Sequence, residues 1–162
     1  MPIDIRPAVV RDVPLILDFI RGLAEYEHLL DDVEATPALL EASLFPADGA
    51  PPAAHCVIAS LDDSPAGFAL YFFNYSTFKA RPGLYLEDLF VAPPFRGLGV
   101  GKALLLHLAR LANERGCGRM EWAVLDWNES AIAFYESLGA KRMREWQICR
   151  LTGEDLRRYA DR

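Results

Sequence analysis

The sequence predicts an α/β protein in which a single domain spans residues 1–162. Stretches with apolar residues at helical spacing alternate with short β-rich stretches, and no linker, repeat or low-complexity tract divides them. The size of the chain also fits one domain. A chain of 162 residues, of which 52% are hydrophobic, can bury one core without disulfides or metals.

Six stretches are predicted as strands, because β-branched and aromatic residues concentrate there between turn-forming residues. They are residues 3–6, 55–61, 67–75, 84–91, 119–127 and 141–151. The first is expected at an edge of the sheet. The turn sequence Asp62-Asp63-Ser64-Pro65 should join the second and third strands into a hairpin, with the fourth as a neighbour in the same sheet.

Four stretches are predicted as helices from apolar residues at helical spacing or from capping residues. They are residues 11–29, a short helix that follows Thr36-Pro37, residues 99–115 and residues 129–138. Thr36 is a capping residue, and a proline fits the first turn. Gly116 and Gly139 are expected to close the helices that precede them.

The charge balance argues against polyanionic partners. With 23 acidic and 17 basic residues the net charge is -6, which repels nucleic acid and anionic membranes and attracts cationic small molecules such as polyamines. No apolar run approaches the ~18 residues of a membrane span, and no basic and apolar leader occurs at the start, so we expect a cytoplasmic protein. The three cysteines and three histidines lack metal-ligand spacing, so no metal is expected.

The segment Arg96-Gly97-Leu98-Gly99-Val100-Gly101 follows a predicted strand and opens a predicted helix. Glycines let a phosphate approach the backbone closely, and the N–H groups of a helix start attract anions. A dinucleotide motif would need glycine in place of Lys102, and a nucleotide phosphate loop would need a hydroxyl residue in place of Ala103. A turn that only starts a helix is the alternative, but the cations Arg96 and Lys102 favour phosphate binding.

Two segments together resemble the GNAT superfamily of N-acetyltransferases. Residues 86–91 (LEDLFV) with 93–101 (PPFRGLGVG) are similar to its central motif, and residues 126–140 (DWNESAIAFYESLGA) are similar to its later cofactor-side helix. Residues 5–8 (IRPA), 23–27 (LAEYE) and 84–88 (LYLED) narrow the resemblance to the diamine (spermidine/spermine) and thialysine acetyltransferase branch.

The resemblance covers nearly the whole chain. It implies a central mixed, mostly antiparallel, twisted sheet flanked by about four helices, with acetyl-CoA as co-substrate, and it implies a homodimer. On the cofactor side, the fourth strand would hold the pantetheine arm as an added strand does, and the glycine segment would bind the phosphates. Asn128 would contact the cofactor, the alternative is that it caps its helix, and both can hold together. The implied cofactor-binding set is Leu89, Phe90, Val91, Arg96, Gly97, Leu98, Gly99, Val100, Gly101, Lys102, Asn128, Ser130 and Tyr135.

Acetyl transfer to an amine also needs groups that move protons. An alkylamine with a pKa near ~10 is protonated at neutral pH, so a base must take a proton, directly or through a water. The resemblance implies that Glu87 is this base, and an exposed carboxylate at the strand end is the alternative. It implies that Tyr135 protonates the leaving thiolate, whereas a packing tyrosine is the alternative.

Acidic and aromatic residues are expected on the acceptor side. Five carboxylates lie in residues 25–34, around the predicted end of the first helix, where a merely solvated acidic loop is the alternative. The branch usually carries Glu-Gly-Trp where this chain reads Arg144-Glu145-Trp146, which leaves the exact amine open. The implied acceptor-binding set is Tyr26, Glu27, Glu87, Asp88, Glu145 and Trp146.

The expected function is direct transfer of acetyl, in a ternary complex, to a primary amine of a diamine, a polyamine, thialysine or a lysine-like amino acid. An acetyltransferase for protein N-termini or lysines is the alternative within catalysis. A non-catalytic acyl-CoA-binding sensor is the alternative outside it, and the presence of both Glu87 and Tyr135 argues against a sensor.

Overall fold

A five-stranded sheet organises the larger part of the chain, with the strands in the spatial order β1-β2-β3-β4-β5. The computed structural model describes residues 2–160, which separate into two compact units, one up to Ala123 and one from Val124. The strands are β1 (Ile3–Pro7), β2 (His55–Leu61), β3 (Ser64–Ser76), β4 (Arg81–Val91) and β5 (Arg119–Trp122). The first four pair antiparallel in sequence order, and β5 pairs parallel to β4.

Five α-helices are described. They are α1 (Val13–Tyr26), α2 (Pro37–Leu44), α3 (Val100–Glu114), α4 (Glu129–Ser137) and the short α5 (Gly153–Arg157), with single 3-10 turns at Val10–Asp12, Leu30–Asp32 and Pro93–Phe95. The predicted α/β class and the mixed, mostly antiparallel sheet are confirmed, and α5 is one short helix more than expected. Thr36 caps α2 as predicted, since its hydroxyl accepts a hydrogen bond from the N–H of Leu39.

The predicted hairpin between β2 and β3 forms through a tight turn. Asp62 and Asp63 have φ angles of +48° and +62°, a left-handed pair that matches the twist of the flanking strands and that aspartate tolerates better than most residues. The long connection between α1 and β2 contains one 3-10 turn and the helix α2. Strand β1, the predicted edge strand, lies at one edge of the sheet.

Helix α1 packs on one face of the sheet through an apolar stripe. Phe19 stacks on Phe68 of β3 with ring centroids 5.5 Å apart and contacts Phe90 of β4 at 6.2 Å. Gly22 of α1 lies against the same Phe90 ring, because a Cβ there would be 2.7 Å from Phe90 Cζ. The helix can approach β4 this closely only without a side chain at position 22, which brings its C-terminal end near the end of β4.

Helix α3 is amphipathic, and its apolar residues are buried in the larger unit. Leu104 and Leu108 have no exposed surface, which stabilises the fold by about 1.5–3 kcal/mol for each side chain. The helix closes at Gly116, which has a φ of +69°, and the N–H of Cys117 donates to the carbonyl of Ala112. The predicted end of this helix is therefore confirmed.

The smaller unit differs most from the prediction. Strand β5 ends at Trp122 rather than at 127, because its pairing with β4 stops at Leu86 and Trp122, and residues 123–125 are irregular. The predicted strand over residues 141–151 is wrong, since residues 139–152 contain no strand and residues 141–151 are exposed. Trp146 and Ile148 have the alternating apolar pattern of a strand, but a strand forms only where a neighbour pairs with its backbone. Across the described chain, no helix has both the length and the apolar composition needed to cross a membrane.

Candidate active site

A β-bulge in β4 positions the predicted base. Asp88 lies opposite Leu70 of β3 while Leu86 lies opposite the next residue, Tyr71, so Glu87 is an extra residue without a partner in the ladder. In a regular strand Leu86 and Asp88 would share a face, but an extra residue between them places them on opposite faces. Glu87 itself is exposed. The only trace of this bulge in the sequence is a pair of carboxylates inside a strand, which does not distinguish it from a regular strand.

Asp88 is a half-buried carboxylate with other carboxylates near it. Burial is the main cause that raises its pKa from the ordinary value to about 6, and the negative charges of Glu87 and Glu27 contribute to the same increase. Glu27 follows the last residue of α1 and is also half-buried, and burial raises its pKa. The two elements therefore bring three acidic side chains into one electrostatic group, which favours a positively charged ligand.

The ladder between β4 and β5 stops partway along β4. Its last pair is Leu86 with Trp122, whereas β4 continues to Val91. From Glu87 onward, β5 therefore does not pair with that side of the β4 backbone. The predicted pantetheine-binding residues Leu89, Phe90 and Val91 lie in this section, and its backbone groups can bind an extended ligand as an added strand would.

The glycine segment forms a loop that leads into α3. Gly97 and Gly99 have φ angles of +76° and +88°, a left-handed conformation that only glycine adopts without strain. Gly99 is the N-cap of α3, so the N–H groups of Val100, Gly101 and Lys102 have no acceptor within the helix. A Cβ on Gly97 would meet nothing within 4 Å, so the loop is open on that side. These amides and the positive charge of the adjacent Lys102 suit the phosphates of coenzyme A.

Arg96 is held by aromatic rings rather than by a carboxylate. Its guanidinium carbon lies 5.2 Å from the ring centroid of Tyr26 and 5.5 Å from that of Phe90. Its Nε donates a 2.9 Å hydrogen bond to the carbonyl of Val91. The side chain thus connects the glycine segment with the end of β4 and with the end of α1, where the predicted acceptor residues Tyr26 and Glu27 lie.

In the smaller unit, α4 carries the remaining predicted residues. Asn128 caps this helix, because its Oδ1 accepts from the N–H of Ala131 at 3.4 Å, and the hydroxyl of Ser130 donates to the same oxygen at 3.4 Å. The predicted capping role is confirmed. Tyr135 is half-buried, and its ring contacts that of Phe134 at 5.6 Å.

Glu145 and Trp146 lie in the irregular segment after α4, and Trp146 is 75% exposed. Within the larger unit, the structure brings Tyr26, Glu27, the end of β4 and the glycine segment together. The residues of α4 and of this segment belong to the other unit.

The cysteines and histidines of the described chain have no metal-site arrangement, as no group of three His, Cys, Asp or Glu side chains among residues 2–160 could hold an ion. Cys56 is buried, and desolvation raises the pKa of its thiol to about 12. His107 is half-buried on α3, and burial lowers its pKa.

Comparisons with known proteins agree with this geometry. The chain matches the acetyltransferase (GNAT) family over residues 22–140. It is 40% identical to thialysine N-epsilon-acetyltransferase of Bos taurus over 167 residues, covering 96% of each protein. It is 35% identical to the spermidine/spermine N(1)-acetyltransferase-like protein 1 of Homo sapiens over 162 residues, covering 94% of this chain and 23% of that protein.

Among solved structures, the fold is similar to that of an integron cassette protein from V. cholerae, with a TM-score of 0.78 and 28% identity over 100% of this chain and 99% of that one. The family match includes β4, the glycine segment, α3 and α4. The chain therefore belongs to the acetyltransferase (GNAT) family and is an acetyl-CoA-dependent N-acetyltransferase.

Proposed function

We propose that this enzyme acetylates a primary amine of a small acceptor with more than one charged group, either thialysine and related amino acids or a diamine or polyamine. The observation that carries this proposal is the acidic group of Asp88, Glu27 and Glu87 at the end of β4. It would attract an ammonium group, and both relatives described above are named for acceptors that carry amines.

Acetyl-CoA supplies the acetyl group as a thioester. We assign its phosphates to the glycine segment, because the amides at the start of α3 have no acceptor within the helix and Lys102 adds a positive charge. The pantetheine arm would lie along the β4 backbone beyond Leu86, where pairing with β5 has ended. In the smaller unit, Asn128 and Ser130 are assigned to the cofactor as well. Asn128 caps α4 through its Oδ1, and its side-chain NH2 group can donate to the cofactor at the same time.

The chemical step forms a C–N bond and breaks the C–S bond. The acceptor nitrogen must first lose a proton, and we assign that proton to Glu87, directly or through a water. Its exposed position in the bulge leaves it accessible to solvent, to which the proton can pass. Asp88 would bind an ammonium group of the acceptor, since a half-buried carboxylate pairs strongly with a cation. Tyr135 would donate a proton to the sulfur that leaves, and the second proton, which the nitrogen loses as the amide forms, would restore it through solvent.

A panel of acceptors, assayed by thiol release from acetyl-CoA, tests this proposal. We expect turnover with thialysine, lysine or polyamines and at least tenfold lower kcat/KM for a neutral analogue in which the second amine is replaced by a hydroxyl. Turnover only with peptides would instead make the enzyme a protein acetyltransferase. Tight CoA binding without turnover on any amine would make it a sensor.

Three further assignments rest on the family and on composition. We propose that residues 1–162 act as one catalytic domain, that the protein is a homodimer and that it works in the cytoplasm. Light scattering at micromolar concentration tests the dimer, for which the expected mass is twice 18.1 kDa. A concentration-independent mass of one chain would refute it. Fractionation of cells tests the location.

A further inference from the structure

Arg96 connects two places that the proposed function assigns to different ligands. It is the first residue of the glycine segment, on the cofactor side, yet its guanidinium lies over the ring of Tyr26 at the acceptor-side end of α1. The same guanidinium lies over Phe90, whose ring contacts α1 at Gly22. One side chain therefore contacts both α1 and β4.

The geometry of these contacts is that of a clamp. Cation–π contacts are favourable within about 6 Å of a ring centroid, and both distances fall inside this limit. The hydrogen bond from Nε to the Val91 carbonyl fixes the plane of the guanidinium. Lysine could not reproduce this arrangement, because an ammonium is not planar and has no Nε–H at that position.

No carboxylate holds Arg96 in the part of the chain that the structure describes, since none of the ion pairs there includes it. Its position is set by the two rings and by one carbonyl. A displacement of Tyr26 would therefore move the guanidinium, and with it the backbone of Gly97 to Gly99. Conversely, ordering of this loop by a phosphate would stabilise the position of Tyr26.

We propose that Arg96 is a positioning residue that couples acceptor binding at the end of α1 to cofactor binding at the glycine segment. This inference rests on the proposed function, in which Tyr26 and Glu27 face the amine. The cofactor phosphates bind the loop amides, and the Arg96 side chain makes the order of those amides depend on Tyr26. Each ligand then increases the affinity for the other.

The coupling is tested by measuring the Kd of CoA by calorimetry with and without saturating thialysine. In the wild type we expect thialysine to tighten CoA binding about fivefold, a factor typical of coupled sites. In R96K and in Y26L the factor should fall to about one, and the double variant should resemble either single variant. The Kd of CoA measured in R96K without thialysine is that variant's own reference, so a loss of phosphate affinity does not enter its coupling factor.

Y26F and R110K are the matched controls. Y26F keeps the ring over Arg96, so its coupling factor should stay above that of Y26L. R110K makes the same exchange at an exposed arginine of α3. A coupling factor that is unchanged in Y26L, or effects of R96K and Y26L that multiply in the double variant, would overturn the proposal.

Hydrogen exchange separates a failure of the coupling from a failure of the proposed function. If the wild type acetylates no amine, the amides of residues 97–102 still report whether Tyr26 orders the loop. We expect about fivefold faster exchange there in Y26L than in Y26F, without any ligand. Equal exchange in the two variants would refute the clamp, whatever the acceptor is.

Discussion

Asp88 on β4 lies opposite Leu70 on β3, directly after a bulge that leaves Glu87 without a partner. The bulge turns Asp88 away from the face of Leu86 and brings it under the influence of Glu27 at the end of α1. A carboxylate in this position is partly desolvated and repelled by its neighbours. Both effects are consequences of the tertiary structure, and both can be measured.

The first prediction concerns the pH dependence of acceptor binding. Because the pKa of Asp88 is raised to about 6, its carboxylate is ionised at pH 7 and becomes neutral as the pH falls through 6. We expect kcat/KM for the amine to fall about tenfold for each pH unit below 6. In D88N this decrease should be absent and kcat/KM at pH 7.5 should be about tenfold lower, as measured by thiol release.

D63N is the control for this pH profile, because Asp63 is an exposed turn residue of similar chemistry. The stability of the protein gives an independent readout. A raised carboxyl pKa stabilises the folded state below the unfolded value near 3.8, and that stabilisation is lost as the pH rises through about 6. D88N should therefore be more stable than the wild type at pH 7 and should lose this advantage near pH 4. An unchanged denaturation midpoint at pH 7 would argue against a desolvated Asp88.

A second prediction separates the conformation of Gly99 from its proposed contact with the cofactor. Gly99 and Gly116 both have positive φ angles, and a Cβ would meet no atom within 4 Å at Gly116 and only one, at 4.0 Å, at Gly99. G99A and G116A should each cost about 1–2 kcal/mol of unfolding free energy, because alanine is strained in this conformation. Only G99A should raise the Kd of CoA, by about tenfold in calorimetry. An equal Kd in the two variants would remove Gly99 from the cofactor site.

The third prediction tests the proposed proton donor. Y135F should lower kcat by about 10²-fold and leave the Kd of CoA almost unchanged, because a proton donor acts in the transition state. Y159F makes the same change at a tyrosine that is 51% exposed near the end of the chain, and it should retain full activity. If kcat of Y135F equals that of the wild type, Tyr135 is a packing residue.

The fourth prediction concerns an ion pair that connects the N-terminal strand with the start of α1. Both guanidinium nitrogens of Arg6 donate to the Asp12 carboxylate, at 2.7 and 2.9 Å, and the N–H of Val9 donates to it at 2.8 Å. The hydrogen bond from Arg6 is the main cause that lowers the pKa of Asp12. D12N should cost about 2 kcal/mol at pH 7 in denaturant unfolding, because it weakens a partly buried, charge-assisted network.

The direction of the Asp12 pKa shift determines the pH range in which this ion pair stabilises the protein. A lowered carboxyl pKa stabilises the protein above the unfolded value of about 3.8, and this contribution is lost as the pH falls below that value. The difference between wild type and D12N should therefore shrink below pH 3.8. D18N, at an exposed position of α1, should show neither the loss nor the pH dependence. If the difference in unfolding free energy between wild type and D12N stayed constant down to pH 2, Asp12 would act through packing.

Much of the fold follows from local patterns in the chain. The apolar spacing of α1 and α3, the Thr36-Pro37 start of α2 and the aspartate turn before β3 all depend on residues close together in sequence. Gly99 and Gly116 act in the same local way. Predictions of this kind were confirmed because their energies come from neighbouring residues.

The strand predicted over residues 141–151 was wrong for the opposite reason. Alternation of apolar side chains is necessary for a strand, but the hydrogen bonds come from a partner elsewhere in the chain. The early end of β5 has a similar origin, because its pairing with β4 stops at Leu86 and Trp122. Patterns along one segment contain no information about whether a neighbour is present.

By itself, the sequence determined the class of fold, the loop that suits phosphates and the family of acetyltransferases. Those features lie in contiguous motifs, so the residues that determine them are adjacent in the sequence. Only the tertiary structure decided that Glu87 sits in a bulge, that Asp88 shares an electrostatic group with Glu27 and that Arg96 lies between Tyr26 and Phe90. These relationships join residues from 6 to 70 positions apart, and burial and distance, which set their strength, exist only once the helix has packed on the sheet.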